Sequence, residues 1–171
     1  MPAVDLEELD LKANPGSFST YDMEIVVPEI TRLKAGQVYL EVGVDKGKSL
    51  SVARMVAEPG VEVIGVDLRD DPHVSGTLFF QMDSQTPKTG RFVNRQVDVL
   101  FIDGDHSYEG CKADIATWYP HMAKHGVMLF HDCDASSPGV VKAVKEFIKE
   151  YGFKDVYYDP RQRCSMSRIR L

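Results

Sequence analysis

This chain of 171 residues has few cysteines, no long apolar run and no surplus of positive charge. The three cysteines are odd in number and widely spaced, which is typical of a reduced protein rather than of a disulfide scaffold. No apolar run approaches the roughly 20 residues that a membrane-spanning helix needs. The first residues are acidic, unlike a secretory signal. We therefore expect a cytoplasmic protein that has no membrane partner.

The charge balance argues against a second class of partner. The chain has 20 Lys and Arg residues against 26 Asp and Glu residues, which leaves a net charge of −6 and no basic tract. Proteins that bind nucleic acid neutralise phosphates with clustered cations, so nucleic acid is not an expected partner. The length suits one domain with a hydrophobic core. We divide the chain into an N-terminal arm, 1–27, and a single domain, 28–171.

Strand-like and helix-like patterns alternate along the chain. Strands are predicted at 37–42, 61–66, 77–82, 97–102, 127–130, 153–158 and 163–170. Helices are predicted at 28–34, 47–57, 107–123 and 138–151. Residues 1–20 are expected to be loosely ordered. The alternation predicts an α/β protein with a Rossmann-like, doubly wound, mostly parallel seven-stranded sheet and an antiparallel last strand.

The first predicted strand leads into a glycine turn that begins a helix. Glu41 ends the strand, Gly43 and Gly47 follow it, and Ser49 lies in the first helical turn. This arrangement lets backbone groups approach a small ligand closely. The spacing lacks the G-x-G-x-x-G of dinucleotide sites and is one residue short of a phosphate-binding P-loop.

The pattern Glu41-x-Gly43-x-x-x-Gly47 instead resembles the first motif of class I S-adenosylmethionine (SAM)-dependent methyltransferases. A carboxylate at this strand end would repel a triphosphate, whereas it suits the cationic amino acid end of SAM. The resemblance therefore implies that Glu41 reaches the methionyl ammonium through water. A glycine-rich turn in an unrelated α/β domain is the alternative interpretation.

Each of the five predicted parallel strands ends in acidic or polar residues. These are Glu41, Asp67, Asp83, Asp103 and the pair His131–Asp132. Because ligands bind beyond the carboxyl ends of the strands in parallel sheets, one shared site is expected there.

Two of these strand ends suit a nucleoside. Asp67 lies 20 residues after Gly47, a position from which a carboxylate accepts both hydroxyls of a ribose. Leu68 is expected to pack on adenine, and Asp83 with Ser84 is a candidate for reading the adenine amino group. An exposed aspartate at position 67 and a turn-starting aspartate at position 83 are the alternatives.

Two segments near strands four and five carry a more specific resemblance. Residues 101–108 read Phe-Ile-Asp-Gly-Asp-His-Ser-Tyr, and residues 130–134 read Phe-His-Asp-Cys-Asp. Both are similar to small O-methyltransferases of the family that includes macrocin O-methyltransferases and cephalosporin hydroxylase-like proteins. The similarity extends over about residues 28–151, most of the chain.

The resemblance implies a divalent metal site and a general base. The metal ligands would be Asp103 and the pair His131–Asp132, and the base would be His106. Those relatives have an acidic residue where this chain has His131. Mg²⁺ prefers oxygen ligands, whereas Mn²⁺ tolerates an imidazole better, so Mg²⁺ or Mn²⁺ is expected and a metal-free site is the alternative.

We therefore predict a SAM-dependent methyltransferase that methylates a hydroxyl of a small acceptor with metal assistance, using His106 and Asp103 in catalysis. The predicted cofactor-binding residues are Glu41, Gly43, Gly47, Ser49, Asp67, Leu68, Asp83, Ser84 and Asp103. A P-loop-like nucleotide hydrolase and a non-catalytic SAM-fold binding protein are the alternatives. The acceptor and the formation of a homo-oligomer are left open.

Overall fold

A computed structural model describes residues 4–86, 95–158 and 165–171. The helices are α1 (Leu6–Lys12), α2 (Thr20–Ile30), α3 (Lys48–Val56), α4 (Tyr108–Trp118) and α5 (Pro138–Tyr151). The strands are β1 (Val38–Val42), β2 (Glu62–Asp67), β3 (Leu78–Gln81), β4 (Val97–Ile102), β5 (Met122–Phe130), β6 (Asp155–Tyr158) and β7 (Ser167–Arg170). No helix in these described ranges is both long and apolar enough to span a bilayer.

The strands form one sheet in the order β3-β2-β1-β4-β5-β7-β6. Neighbouring strands from β3 to β5 are parallel, whereas β7 is antiparallel to both β5 and β6. The predicted seven-stranded, mostly parallel sheet with an antiparallel last strand is therefore confirmed. The chain order reverses between β1 and β4, which opens a crevice at the carboxyl ends of these strands.

Helices cover both faces of the sheet. One buried cluster joins α2 and α3 to one face and includes Met23, Ile30 and Leu50. A second cluster joins α4 and α5 to the opposite face, where Trp118 and Val144 are fully buried. Because β1 and β4 are covered on both sides, burial along them is nearly continuous rather than alternating: every residue of β1 is buried, and so is every residue of β4 except Asp98.

The N-terminal residues differ from the prediction. The expected loose order over residues 1–20 is wrong for their described part, since α1 forms there and Phe18 is buried. The helix predicted to begin at Pro28 begins at Thr20 instead, and Pro28 lies in its last turn. Ser19 and Asp22 form a capping box that starts α2 eight residues earlier than the proline does.

The predicted helix at 107–123 is too long. Regular α4 ends at Trp118, and a short 3-10 turn over Tyr119–His121 leads directly into β5. Pro120 has no backbone N–H to donate and therefore ends the regular helix. Met122, which falls within the predicted helix, is instead the first residue of a nine-residue β5. Residues 87–94, between the third and fourth predicted strands, and residues 163–164, at the start of the last predicted strand, lie outside the described residues.

Candidate active site

The turn after β1 depends on two glycines with left-handed backbone conformations. Gly43 has φ +84°, and a Cβ at this position would lie 2.1 Å from the carbonyl oxygen of Asp103. Gly47 has φ +81° and is the N-cap residue of α3. A side chain at Gly47 would contact Pro72 and Val74. Both positions therefore require glycine, and they bring the turn against the end of β4.

Glu41 is fully buried behind this turn. Its two carboxylate oxygens accept hydrogen bonds from Tyr39 Oη at 2.8 Å and from Ser49 Oγ at 2.6 Å. Burial, which is only partly offset by these two bonds, raises the pKa of Glu41 to about 8. Ser49 lies between Glu41 and the crevice, so any influence of this carboxylate on a ligand passes through Ser49.

Asp67 closes the same turn from the end of β2. Its Oδ2 accepts hydrogen bonds from the backbone N–H groups of Val44 at 2.6 Å and Asp45 at 2.8 Å, and its Oδ1 accepts from Arg69 N–H at 2.8 Å. An ionised carboxylate has about four lone-pair sites, so acceptor capacity remains for a ribose. Leu68, beside it, exposes 72% of its surface at the rim of the crevice.

The end of β3 differs from what its sequence predicts. Asp83 is exposed, and its Oδ1 accepts a hydrogen bond from the backbone N–H of Gln85 within its own turn. Ser84 instead points toward α4 and donates a hydrogen bond from Oγ to Asp114 Oδ1 at 2.6 Å. Asp114 is therefore the buried carboxylate at this end of the crevice, with only 1% of its surface exposed.

Two aspartates and two histidines meet at the ends of β4 and β5. His106 Nε2 lies 3.2 Å from Asp132 Oδ2 and 3.6 Å from Asp103 Oδ1. His131 Nδ1 lies 3.0 Å from Asp132 Oδ2 and 3.2 Å from Asp103 Oδ1. The structure thus brings together the four residues that the sequence predicts for the catalytic and metal sites.

His106 is available for chemistry because other residues cap α4. Ser107 Oγ accepts a hydrogen bond from Gly110 N–H at the helix start, and Asp105 accepts from both Ser107 N–H and Oγ. The His106 side chain remains about half exposed. The nearby Asp103 carboxylate raises the pKa of His106, and Asp132 adds to this effect, which strengthens His106 as a base.

His131 is held on three sides. Phe101 contacts its ring edge-on, with 6.1 Å between centroids, and Phe18 packs nearby at 6.4 Å. Its Nε2 lies 3.5 Å from Asp22 Oδ1 in α2. Burial alone would lower the pKa of His131, but hydrogen bonds with Asp103, Asp132 and Asp22 outweigh burial and raise that pKa to about 12. The surroundings of His131 therefore favour positive charge.

This cluster fits a divalent cation. Asp103, His131 and Asp132 each offer a ligand atom, and these atoms lie within 4.8 Å of one another. Two carboxylate oxygens with one imidazole nitrogen suit Mn²⁺ better than Mg²⁺. With a proton on Nε2 facing Asp22, His131 presents Nδ1 as the ligand nitrogen, in the carboxylate–histidine arrangement common behind metal sites.

One cavity of about 760 Å³ connects these features along the carboxyl ends of the strands. The predicted site residues that line it are Gly43, Ser49, Asp67, Leu68, Asp83, Ser84, Asp103, His106, His131 and Asp132. Glu41 and Gly47 do not line the cavity and lie behind its wall. Two predicted cofactor-binding residues thus act on the cavity only through their neighbours, whereas the other predicted residues face it.

Three residues of this site are not among the predicted ones, and two of them leave a signal in the sequence. Asp22 stands three residues after Ser19, the spacing of a capping box. Asp114 lies on the apolar face of α4, in register with Cys111 and Trp118, where a charged residue is unexpected. Phe18, which also lines the cavity, carries no such signal because it precedes α2 in an irregular segment.

Comparison with known proteins identifies a family. The sequence pattern of a family described as a methyltransferase domain matches residues 40–133, more than half of the chain. An uncharacterized protein of Sinorhizobium fredii is 42% identical over 43 residues, which cover 25% of this chain. The chain spans only 5% of the length of that curated relative.

Solved methyltransferase structures share the fold, and two of them illustrate the match. CalS11, a TDP-rhamnose 3'-O-methyltransferase of calicheamicin biosynthesis, matches with a TM-score of 0.66 and 16% identity over 90% of this chain and 81% of its own. MycE methyltransferase of the mycinamycin pathway, solved with Mg and S-adenosylhomocysteine (SAH), matches with a TM-score of 0.71 and 18% identity. That match covers 97% of this chain and 54% of MycE. At these identities the likeness concerns the fold.

Proposed function

This chain belongs to the methyltransferase-domain family, and from that premise we propose that it transfers a methyl group from SAM to a hydroxyl of a small acceptor. We propose further that a divalent ion at the ends of β4 and β5 assists the transfer. The family match favours this function over the P-loop-like hydrolase that the glycine spacing left open.

One observation carries the proposal. A single cavity contains both the predicted nucleoside-binding residues and a histidine–carboxylate cluster: Asp67 and Leu68 line it at the end of β2, and Asp103, His106 and Asp132 line it after β4 and β5. A cofactor lying along the strand ends would present its methyl group to the cluster. This proximity is the main requirement of a two-substrate transfer, for which alignment can supply about 7–11 kcal/mol.

The chain's own residues suit binding of SAM. Asp67, anchored by the turn around Val44 and Asp45, is placed to accept the ribose hydroxyls. The close approach of Gly43 to Asp103 leaves backbone rather than side chain on the cavity wall. Ser49 is held by Glu41 and lines the cavity beside the glycine turn, so its hydroxyl is available to the methionyl end.

The transfer follows from the geometry of the cluster. The acceptor oxygen attacks the methyl carbon, the carbon–sulfur bond breaks, and its electron pair stays on sulfur to give SAH. His106 Nε2 takes the proton of the acceptor hydroxyl, and Asp103 and Asp132 stabilise the resulting imidazolium. A divalent ion held by Asp103, His131 and Asp132 would lower the pKa of the acceptor hydroxyl.

A sugar hydroxyl is the acceptor that the structural relatives favour. CalS11 acts on TDP-rhamnose, and MycE has been solved with Mg, SAH and mycinamycin VI. Both share the fold of this chain, and both have additional residues that this chain does not match. We therefore propose sugar hydroxyls first and phenols or catechols second.

Two measurements test the proposal. Isothermal titration should detect binding of SAH and no binding of ATP–Mg²⁺. Isotope-labelled SAM should transfer methyl to at least one acceptor in a panel of nucleotide sugars, glycosides and catechols, in the presence of Mn²⁺ or Mg²⁺.

The matched variant is His106→Gln. Loss of general-base catalysis is expected to reduce transfer about 10²–10⁴-fold. SAH affinity should stay within about threefold of wild type, because His106 lies at the acceptor end. ATP binding without SAH binding would favour the hydrolase and refute the proposal. Tight SAH binding without transfer to any acceptor would favour a non-catalytic binding protein.

A further inference from the structure

Among the residues that the structure describes, Asp114 is the buried carboxylate on the cavity wall that the proposed mechanism does not use. It lies in α4 with 1% of its surface exposed, yet it lines the cavity. Asp103, Asp132 and Asp67 already have assigned roles, and Glu41 lies behind the wall. A buried acidic side chain that faces a ligand cavity requires a hydrogen-bond donor to offset its desolvation.

One oxygen of Asp114 is satisfied and the other faces the cavity. Oδ1 accepts a hydrogen bond from Ser84 Oγ at 2.6 Å. Oδ2 points toward Gly104, where a Cβ would lie 3.1 Å away, and has no hydrogen-bond donor within the parts of the chain that the structure describes. Burial raises the pKa of Asp114 to about 6, so the group is still mainly ionised at neutral pH and retains its need for a donor.

The position of Asp114 matches the base of the nucleoside. Asp67, Leu68, Ser84 and Asp114 line the same cavity, and Ser84 bonds Asp114. Because β2 and β3 are neighbours in the sheet, a base attached to a ribose at Asp67 can lie between Leu68 and the Ser84–Asp114 pair. Asp83, the residue predicted for this contact, is exposed and accepts a hydrogen bond in its own turn. We propose, resting on the proposed use of SAM, that Asp114 Oδ2 accepts the adenine amino group and selects adenine over other bases.

The proposal makes a chemical distinction that can be measured. Adenine offers an N–H donor at its C6 position, whereas hypoxanthine has a carbonyl oxygen there, which a carboxylate repels. A hydrogen bond to a charged group accounts for about 10- to 100-fold in affinity. Wild-type protein should therefore bind SAH about 10- to 100-fold more tightly than S-inosylhomocysteine, the analogue with hypoxanthine in place of adenine.

The test compares this ratio between variants by isothermal titration. In Asp114→Asn, an amide can present oxygen to adenine or nitrogen to hypoxanthine, so the ratio should fall toward one. Asp114→Ala should lower the ratio as well and weaken SAH binding about 10- to 100-fold. Thermal unfolding of the ligand-free variants establishes that each one is folded.

The outcomes separate this inference from the proposed function. A wild-type ratio that persists in Asp114→Asn overturns the assignment to Asp114. The assignment is also overturned if the preference for SAH over S-inosylhomocysteine is lost in Asp83→Asn but kept in Asp114→Asn. If wild-type protein binds neither SAH nor its analogue, the proposed function fails and this inference fails with it. A ratio that collapses only when Asp114 is changed supports it.

Discussion

Both the fold and the candidate active site require that residue 43 has no side chain, and Gly43 meets this requirement. Its positive φ disfavours any side chain, and its contact with the Asp103 carbonyl leaves no room for one. Gly36 has a similar φ of +87°, but a Cβ there would meet nothing within 4 Å. The two positions therefore separate the effect of backbone strain from the effect of crowding.

Gly43→Ala is expected to destabilise the fold more than Gly36→Ala does. The left-handed conformation costs an alanine about 1–2 kcal/mol at either site, and overpacking adds about 1–3 kcal/mol at Gly43. Gly43→Ala should also weaken SAH binding, because relief of the clash moves the turn away from β4. Urea unfolding and SAH titration measure the two effects. Equal losses of stability in the two variants would contradict the close approach.

The surroundings of His131 were the part of the site that was hardest to predict from the sequence. Its identity and its place after β5 were readable from the sequence, and so was its meeting with Asp103 and Asp132. Two further neighbours, Phe18 and Asp22, precede it by more than 100 residues. No periodic pattern relates such distant positions, so only the folded packing of α2 on the sheet reveals them.

At the scale of an element, α2 belongs to the site as well as to the core. Asp22 holds the start of the helix by accepting hydrogen bonds from Ser19 N–H and Oγ, both at 2.7 Å. Its other oxygen faces His131 Nε2 at 3.5 Å. The capping box thus fixes the carboxylate that orients the imidazole, and the start of α2 is linked to the proposed metal site.

Asp22→Asn is expected to weaken both functions of this residue. Helix stability should fall by about 1 kcal/mol, since the capping box loses its charge. Mn²⁺ affinity should fall about 10- to 100-fold, the usual effect of removing a carboxylate behind a ligating histidine. Titration of the purified protein with Mn²⁺ measures affinity without reference to activity.

Ser19→Ala serves as the matched control for Asp22→Asn. It removes the capping hydroxyl at a similar cost of about 1 kcal/mol but leaves the contact between Asp22 and His131 intact. Its Mn²⁺ affinity should match wild type. If both variants lose Mn²⁺ affinity equally, the effect arises from helix fraying, and Asp22 does not orient His131.

Element boundaries show which local signals decide when two conflict. Pro28 suggested a helix start, but the capping box at Ser19 begins α2 earlier and the proline is accommodated in the last turn. The apolar pattern predicted that α4 continues past Pro120, but the regular helix ends before this proline. A capping box satisfies two backbone donors at once. It therefore sets where α2 begins, whereas Pro28 is tolerated in the last turn as well as at a helix start.

For the whole molecule, the alternation of strands and helices was enough to predict the sheet and the edge at which the site forms. Parallel strands must end at one edge, so Asp67, Asp103 and Asp132 had to lie near one another. The sequence did not reveal which carboxylates face the cavity. Glu41 is buried behind the cavity, whereas the buried Asp114 contributes to its wall, because side-chain direction depends on packing between distant elements.

The burial of Glu41 predicts how global stability depends on pH. Its ordinary pKa of 4.5 applies to the unfolded chain, and burial raises the value to about 8 in the folded chain. Between these values the folded chain binds more protons than the unfolded chain, so stability falls as pH rises. The loss approaches about 1.4 kcal/mol per pH unit at most and ends above the folded pKa.

Glu41→Gln should remove this contribution while keeping hydrogen bonds with Tyr39 and Ser49. Urea unfolding of the ligand-free proteins between about pH 5 and 8.5 should show the wild-type free energy of unfolding falling more steeply than that of the variant. The difference between the two curves isolates Glu41 from every other titrating group. If the free energies of unfolding of wild type and variant change in parallel with pH, Glu41 is ionised throughout this range. The hydroxyls of Tyr39 and Ser49 would then be sufficient to stabilise its buried charge.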